Sequence, residues 1–115
     1  MEMTFAEAIR RGAKDSPQAF GTMERDEARC ALGAGYHGLG LLSRDVLPDW
    51  SSHTLIVRFL QSRLTRCPKC DWPDPGNPPM YQVITHLNDH HHATREWIAD
   101  WLEPIEELYQ VGNLQ

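Results

Sequence analysis

Two cysteines and a run of histidines, separated by a stretch that cannot fold on its own, constrain this chain more than any other feature. Cys67 and Cys70 frame Pro68 and Lys69; fifteen residues intervene before His86, and His90, His91 and His92 follow. Between them lies "DWPDPGNPP", with prolines at 73, 75, 78 and 79. Proline lacks an N–H and fixes φ, so this stretch is neither helix nor central strand. A C-x2-C turn brings both sulfurs to one side, where turn amides can donate to them. Cys2His2 at this spacing falls close to a zinc pattern. The expectation is one tetrahedral, structural Zn2+ that ties the two ends of a stiff loop. Such binding contributes folding free energy directly, on the order of 10 kcal/mol in small fingers. Four protein ligands leave no position for water, so catalysis is not expected.

Cys67 and Cys70 supply the sulfurs of this set, and the question is which histidines complete it. On a helix, residues four apart share a face and residues five apart are rotated by roughly 140°. That favours His86 with His90. The helix end is near, however, because Thr94 starts another helix, so His91 stays in play and His92 is the least suitable. Spacing alone leaves His90 slightly ahead of His91.

The rest of the chain reads as helical. Thr4 and Glu7 form a T-x-x-E capping box, opening a helix to about Lys14 with Phe5, Ala8 and Ile9 on one face. A second helix is expected from about Arg25 to Leu39. It contains G-x-G-x-x-G at Gly33, Gly35 and Gly38. A dinucleotide site needs a strand before those glycines, and the preceding "MERDEAR" is polar and helix-prone, so close helix packing is the better account. Cys30 reads as a small core residue and His37 as a surface or half-buried one. Ser51 or Ser52 can cap a helix over about 53–64, with Ile56, Phe59, Leu60 and Leu64 on its buried face and His53 solvated in its first turn. From Thr94 a long helix follows, with Trp97, Ile98, Trp101, Leu102, Ile105, Leu108 and Tyr109 as its core stripe. Pro104 either kinks it or begins a new helix, and Gly112 ends it. The fold class is therefore mainly α: one small domain over 1–115, with a helical part at 1–64, a zinc-finger-like knuckle and long proline-rich loop at 65–93, and a core helix at 94–115.

Charge separates the functional readings. At 115 residues and net charge −5, a uniformly acidic surface repels phosphates. Residues 51–70 depart from this: Arg58, Arg63, Arg66 and Lys69 stand there without an acid. A solvated helix face is the simpler reading of them, and a nucleic-acid-binding face the alternative. Arg95 against Glu96, Asp100, Glu103, Glu106 and Glu107 leaves residues 94–115 at −4, and the basic segment and this acidic helix are expected to face each other. A ββα-type metal nuclease is a third reading, from Asp89 beside His90–His92, with Glu96 and Asp100 downstream; it needs a strand hairpin that the sequence does not display. No apolar run approaches the roughly 20 residues that span a bilayer. Three cysteines, two of them in C-x2-C, suit a reducing compartment and a metal, and the expected location is cytoplasmic.

"HLNDHHHATREWIADWLEP" resembles a recurring C-terminal signature of small proteins encoded by bacteriophages and prophages. There HLND is followed by any residue, a histidine, often a tryptophan, and T-R-E-x-I-A-D-W, with an upstream C-P-x-C. "FAEAIRRG", "PQAFG" and "CALGAG" resemble the N-terminal parts of such proteins. Mapped onto this chain, the resemblance implies Cys67, Cys70, His86 and His91 as ligands, places His90 at the variable position, and puts Ala93 where a tryptophan is usual. It carries no activity. It implies a phage or prophage origin and no function. The function expected beside it is that of a non-enzymatic phage accessory protein, in a bacterial host cytoplasm, that binds a host or phage protein and so blocks or redirects host transcription, replication or immunity.

Overall fold

Helix α1 (Phe5–Ala13) begins where the capping residue places it: Thr4 Oγ1 accepts from the Glu7 amide at 3.1 Å. Glu7 lies in its first turn and Arg10 and Arg11 in its last, each complementing the helix dipole. Phe5, Ala6, Ala8 and Ile9 are fully buried. The computed structural model describes residues 3–22, 24–25, 27–40, 54–73 and 76–113. The expected caps Ser51 and Ser52, and His53, lie outside them.

The expected helix from Arg25 is shorter than the sequence suggests. Strands β1 (Glu24–Arg25) and β2 (Ala28–Arg29) form an antiparallel hairpin, with Glu24 opposite Arg29, and α2 spans Ala31–Gly38. Long-range bonds explain the change. The Arg29 amide donates to Pro17 O at 2.8 Å, and Arg29 O accepts from Ala19 N at 3.1 Å and from Arg95 Nη1 at 3.2 Å. These contacts hold residue 29 extended and outweigh the helix propensity of the residues before it. Cys30 then caps α2, its sulfur accepting from the Gly33 amide at 3.4 Å. It is buried, as expected, but serves as a cap as well.

The glycine motif lies in α2, and its role is contact. A Cβ on Gly38 would stand 2.0 Å from Ala8 O, one on Gly35 2.3 Å from the Phe5 ring, and one on Gly12 1.8 Å from Ala34 O. Helices α1 and α2 therefore approach backbone to backbone, a distance that only glycine permits. His37 is half-buried, with Nε2 3.3 Å from Asp15 Oδ2.

Helix α3 (Thr54–Gln61) buries Ile56, Phe59 and Leu60. It stops before Leu64, which is exposed rather than buried. Helix α4 (Met80–Asp89) turns one face to the core, with Met80, Val83, Ile84 and Leu87 fully buried. Its start is fixed by the Met80 amide, which donates to Ser62 O at 2.9 Å.

Helix α5 (Arg95–Asn113) opens on Thr94, whose Oγ1 accepts from the Trp97 amide at 3.1 Å. It continues through Pro104 and includes Gly112, which does not end it. Ile98, Ala99 and Leu102 face the core, but Trp97 and Leu108 are exposed. The inward position after Leu102 goes to Glu106, which is buried and accepts from Phe5 N at 2.6 Å and Ala6 N at 3.1 Å. A carboxylate thus caps α1 from across the core. Two other acids of α5 meet α1 rather than the basic segment: Arg10 binds Asp100 at 2.7 Å and Glu103 at 2.9 Å. The result is a mainly α, single-domain structure with a radius of gyration of 13.4 Å, which matches the roughly 13 Å of a compact domain of this length.

Candidate metal centre

Cys67 begins a tight turn whose ends are tied by its own amide, which donates to Trp72 O at 3.3 Å. Within the turn the Lys69 amide points at Cys67 Sγ at 3.4 Å, and the Trp72 amide at Cys70 Sγ at 3.5 Å. Backbone dipoles therefore already converge on both sulfurs. Cys67 is buried, and burial pushes its thiol pKa up. Without a cation it keeps its proton; a divalent ion would displace it.

The histidines come from the last turn of α4 and the turn beyond it. His86 Nε2 lies 3.3 Å from Cys70 Sγ, and its ring is stacked on Trp72 at 4.2 Å and 10°. His90, four residues on, also stacks on His86, at 4.8 Å and 14°. Helical spacing brings the two rings together as nearly parallel plates. His91 meets His86 edge-on, at 5.0 Å and 82°. It can do so because the helix has ended: His92 takes φ 49°, and the Ala93 amide closes back on Leu87 O at 3.0 Å. A left-handed residue of this kind commonly terminates helices.

One donor atom each from Cys67, Cys70, His86 and His91 lies within 4.8 Å of every other, so these four residues are close enough to bind a metal ion. Around zinc the same atoms would stand about 3.3–3.8 Å apart, given Zn–N near 2.0 Å and Zn–S near 2.3 Å. Closing that gap takes a contraction of at most about 1–1.5 Å from the widest pair. The residues fit the ion in another respect. His91 Nε2 is buried and has no hydrogen-bond partner, an arrangement that is costly for a polar atom unless something fills it. Burial first, then neighbouring histidines, also hold His86 and His91 below the usual histidine pKa range, which keeps the imidazoles neutral and able to donate. The donor set is consistent with zinc. His90 is exposed and lies outside the set.

Sequence reasoning missed the residues that hold this centre against the rest of the fold. Asn88, a polar residue of α4, is fully buried. Its Oδ1 accepts from Gln18 Nε2 at 2.9 Å and Ala31 N at 3.1 Å, and its Nδ2 donates to Ala19 O at 2.8 Å. Asp89, offered for metal-nuclease chemistry, accepts from the Gly21 amide at 2.9 Å and from Asn88 Nδ2 at 2.7 Å. Arg95 reaches Ser16 Oγ at 3.1 Å and Pro17 O at 3.2 Å. The only sequence signal for this clasp was an asparagine at a position where helical spacing demands an apolar residue.

The basic segment is largely engaged close to home. Arg63 Nη1 donates to Asn77 O at 2.9 Å, Arg66 Nη2 donates to Asp71 O, and Lys69 Nζ sits 4.4 Å over the Trp97 ring. Arg58 is exposed on α3. No described helix is long and apolar enough to cross a membrane. Compared with protein-family models, with curated proteins and with solved structures, the chain has no match.

Proposed function

We propose that this chain is a non-enzymatic accessory protein, of the kind encoded by bacteriophages and prophages, that acts by binding another protein in a bacterial cytoplasm. One structural zinc, held by Cys67, Cys70, His86 and His91, would join the C-x2-C turn to the end of α4 as a zinc-finger-like knuckle. The observation that carries this reading is the four-residue donor set with the buried, unpartnered Nε2 of His91. Four protein donors complete a tetrahedron, which suits a structural ion rather than one with an open coordination position. The engagement of Asp89 with Gly21, and of Arg63, Arg66 and Lys69 with their neighbours, supports protein binding over nuclease or nucleic-acid chemistry. The resemblance of "HLNDHHHATREWIADW" to the phage signature supports the origin.

The reading is tested by expressing the tagged chain in several bacterial hosts. Native mass spectrometry should find one zinc per chain, and a stoichiometric protein partner should co-purify from at least one host. Metal-free protein, or steep salt-dependent binding to DNA or RNA with no protein partner in any host, would overturn it.

A further inference from the structure

Helix α5 carries more apolar surface than the core uses. Trp97, Trp101, Pro104, Leu108 and Val111 follow one another at intervals of four, three, four and three residues. That is the spacing of a seam on which a second helix packs. Yet α5 fully buries only Ile98, Ala99, Leu102 and Glu106, while Trp101, Ile105 and Tyr109 are half-buried against the core. Leu108 is 76% exposed, Val111 57% and Trp97 38%. Pro104 is exposed on the same face, and having no N–H it leaves the Asp100 carbonyl without its helical donor. Leu64, 48% exposed, joins Thr65, Ile105, Leu108 and Tyr109 around a groove of about 360 Å³ beside the seam. From Trp97 to Val111 the seam is about 21 Å long at 1.5 Å per residue, which accommodates about four turns of a partner helix.

The charges beside the seam say which helix. Glu96, Asp100, Glu103 and Glu107 form one flank. Arg10 neutralises part of it through Asp100 and Glu103, while Glu96 and Glu107 are exposed with no ion pair among the described residues. At the N-terminal end, Lys69 covers one side of Trp97. A second copy of this chain is poorly matched. In an antiparallel pair each acidic flank would lie against the other. In a parallel pair it would face Ile98, which the copy's own fold buries, and the half-buried, apolar Ile105, neither of which offers a positive charge.

We propose that the Trp97–Val111 face of α5 docks an amphipathic helix with an apolar face and a Lys- or Arg-rich flank. This rests on the protein-binding reading above and specifies its surface and the chemistry of its partner. The anchors would be the apolar side chains set between Leu108 and Val111, with the basic flank along Glu96 and Glu107 and a donor for the Asp100 carbonyl.

The test uses the zinc-loaded full chain and a yeast-displayed library of helical peptides, with apolar residues at seam spacing and randomised flanks. Enriched peptides should carry Lys or Arg on one flank. Leu108→Asp and Val111→Asp should each weaken binding at least tenfold, the size expected of a central anchor, without moving the melting temperature. Glu96→Lys with Glu107→Lys should reverse the flank preference. Peptides that bind Leu108→Asp as well as the parent would overturn this surface while leaving the protein-binding reading standing. No enrichment at all would also overturn this surface, while the protein-binding reading stands or falls on the co-purification from bacterial hosts. A dimer in sedimentation that Leu108→Asp dissociates would make a second copy the occupant, and a large drop in melting temperature in that variant would mean the chain covers the seam itself; either overturns the proposal.

Discussion

His90 and His91 differ by one position and have different surroundings. His90 lies flat against His86 in continuation of the helix, whereas His91 is turned edge-on by the left-handed residue after it. His91→Ala should therefore lower zinc affinity by at least tenfold, as loss of one of four ligands does, while His90→Ala should stay within a fewfold of the parent; competition with a chromophoric chelator measures both. The sequence made Cys67, Cys70 and His86 legible because thiolate and imidazole chemistry is local and its spacing is restricted. The fourth member of the donor set, His91, was not legible from spacing, since helix geometry holds only while the helix lasts.

Glu106 is a second residue whose role could not be read from its neighbours. A carboxylate at an inward helical position looks like an error until its two acceptor atoms are matched to the Phe5 and Ala6 amides. Burial raises its pKa above the usual carboxylate range, against the two backbone bonds that lower it. The folded state thus holds this proton more tightly than the unfolded chain does. The associated stability is fully present below the unfolded carboxylate pKa and is lost as pH rises through the raised folded value. Glu106→Gln should flatten the stability–pH curve in that window. It should also lower stability at neutral pH by about 1–3 kcal/mol, because one amide of α1 would then face an NH2 donor. Urea unfolding at a series of pH values reads both effects, and an unchanged slope would count against the buried cap.

At the scale of elements, the helices of this chain are set by contact as much as by propensity. The Gly33–Gly38 stretch looks like a weak helix, and a dinucleotide loop by pattern, until α1 is placed against it. Gly38→Ala would gain up to about 1 kcal/mol in helix propensity, but its Cβ would meet Ala8 O at 2.0 Å. The net result should be a loss of about 1–3 kcal/mol from overpacking. Gly112→Ala, in the same kind of element with nothing within 4 Å, should be neutral or stabilise by up to about 1 kcal/mol. If denaturation midpoints moved alike in the two variants, close approach would not be the reason for the glycine. The β1–β2 hairpin escaped sequence reading for the reciprocal reason. Its determinant is the anchoring of Arg29 by Pro17, Ala19 and Arg95, residues distant in sequence that no local window contains.

At the scale of the molecule, the candidate metal centre and the N-terminal half are coupled through one helix end. His86 and His91 flank Asn88 and Asp89, and those two hold residues 18–21. Four stretches distant in sequence, "PQAFG", "CALGAG", "HLND" and "TRE", thus meet in one clasp. Chelation should release residues 67–72 and 86–93 first, then 18–21 with them, while α1 and α2 keep their glycine-mediated contact. Hydrogen exchange should show at least a tenfold loss of protection in the first two segments and much less in α1; a profile indifferent to chelator would contradict this coupling. The mainly α class and the single domain were legible from helical periodicity and length. The outward face of α5 was not, because periodicity reports apolar spacing without saying which of two adjacent faces the core occupies.

The most direct test of the account is zinc K-edge X-ray absorption on the purified chain. The expected spectrum contains two sulfurs at about 2.3 Å and two imidazole nitrogens at about 2.0–2.1 Å, unchanged in His90→Ala and reduced by one nitrogen in His91→Ala. A chain that carries no stoichiometric zinc, or a first shell with other than two sulfurs, would contradict it.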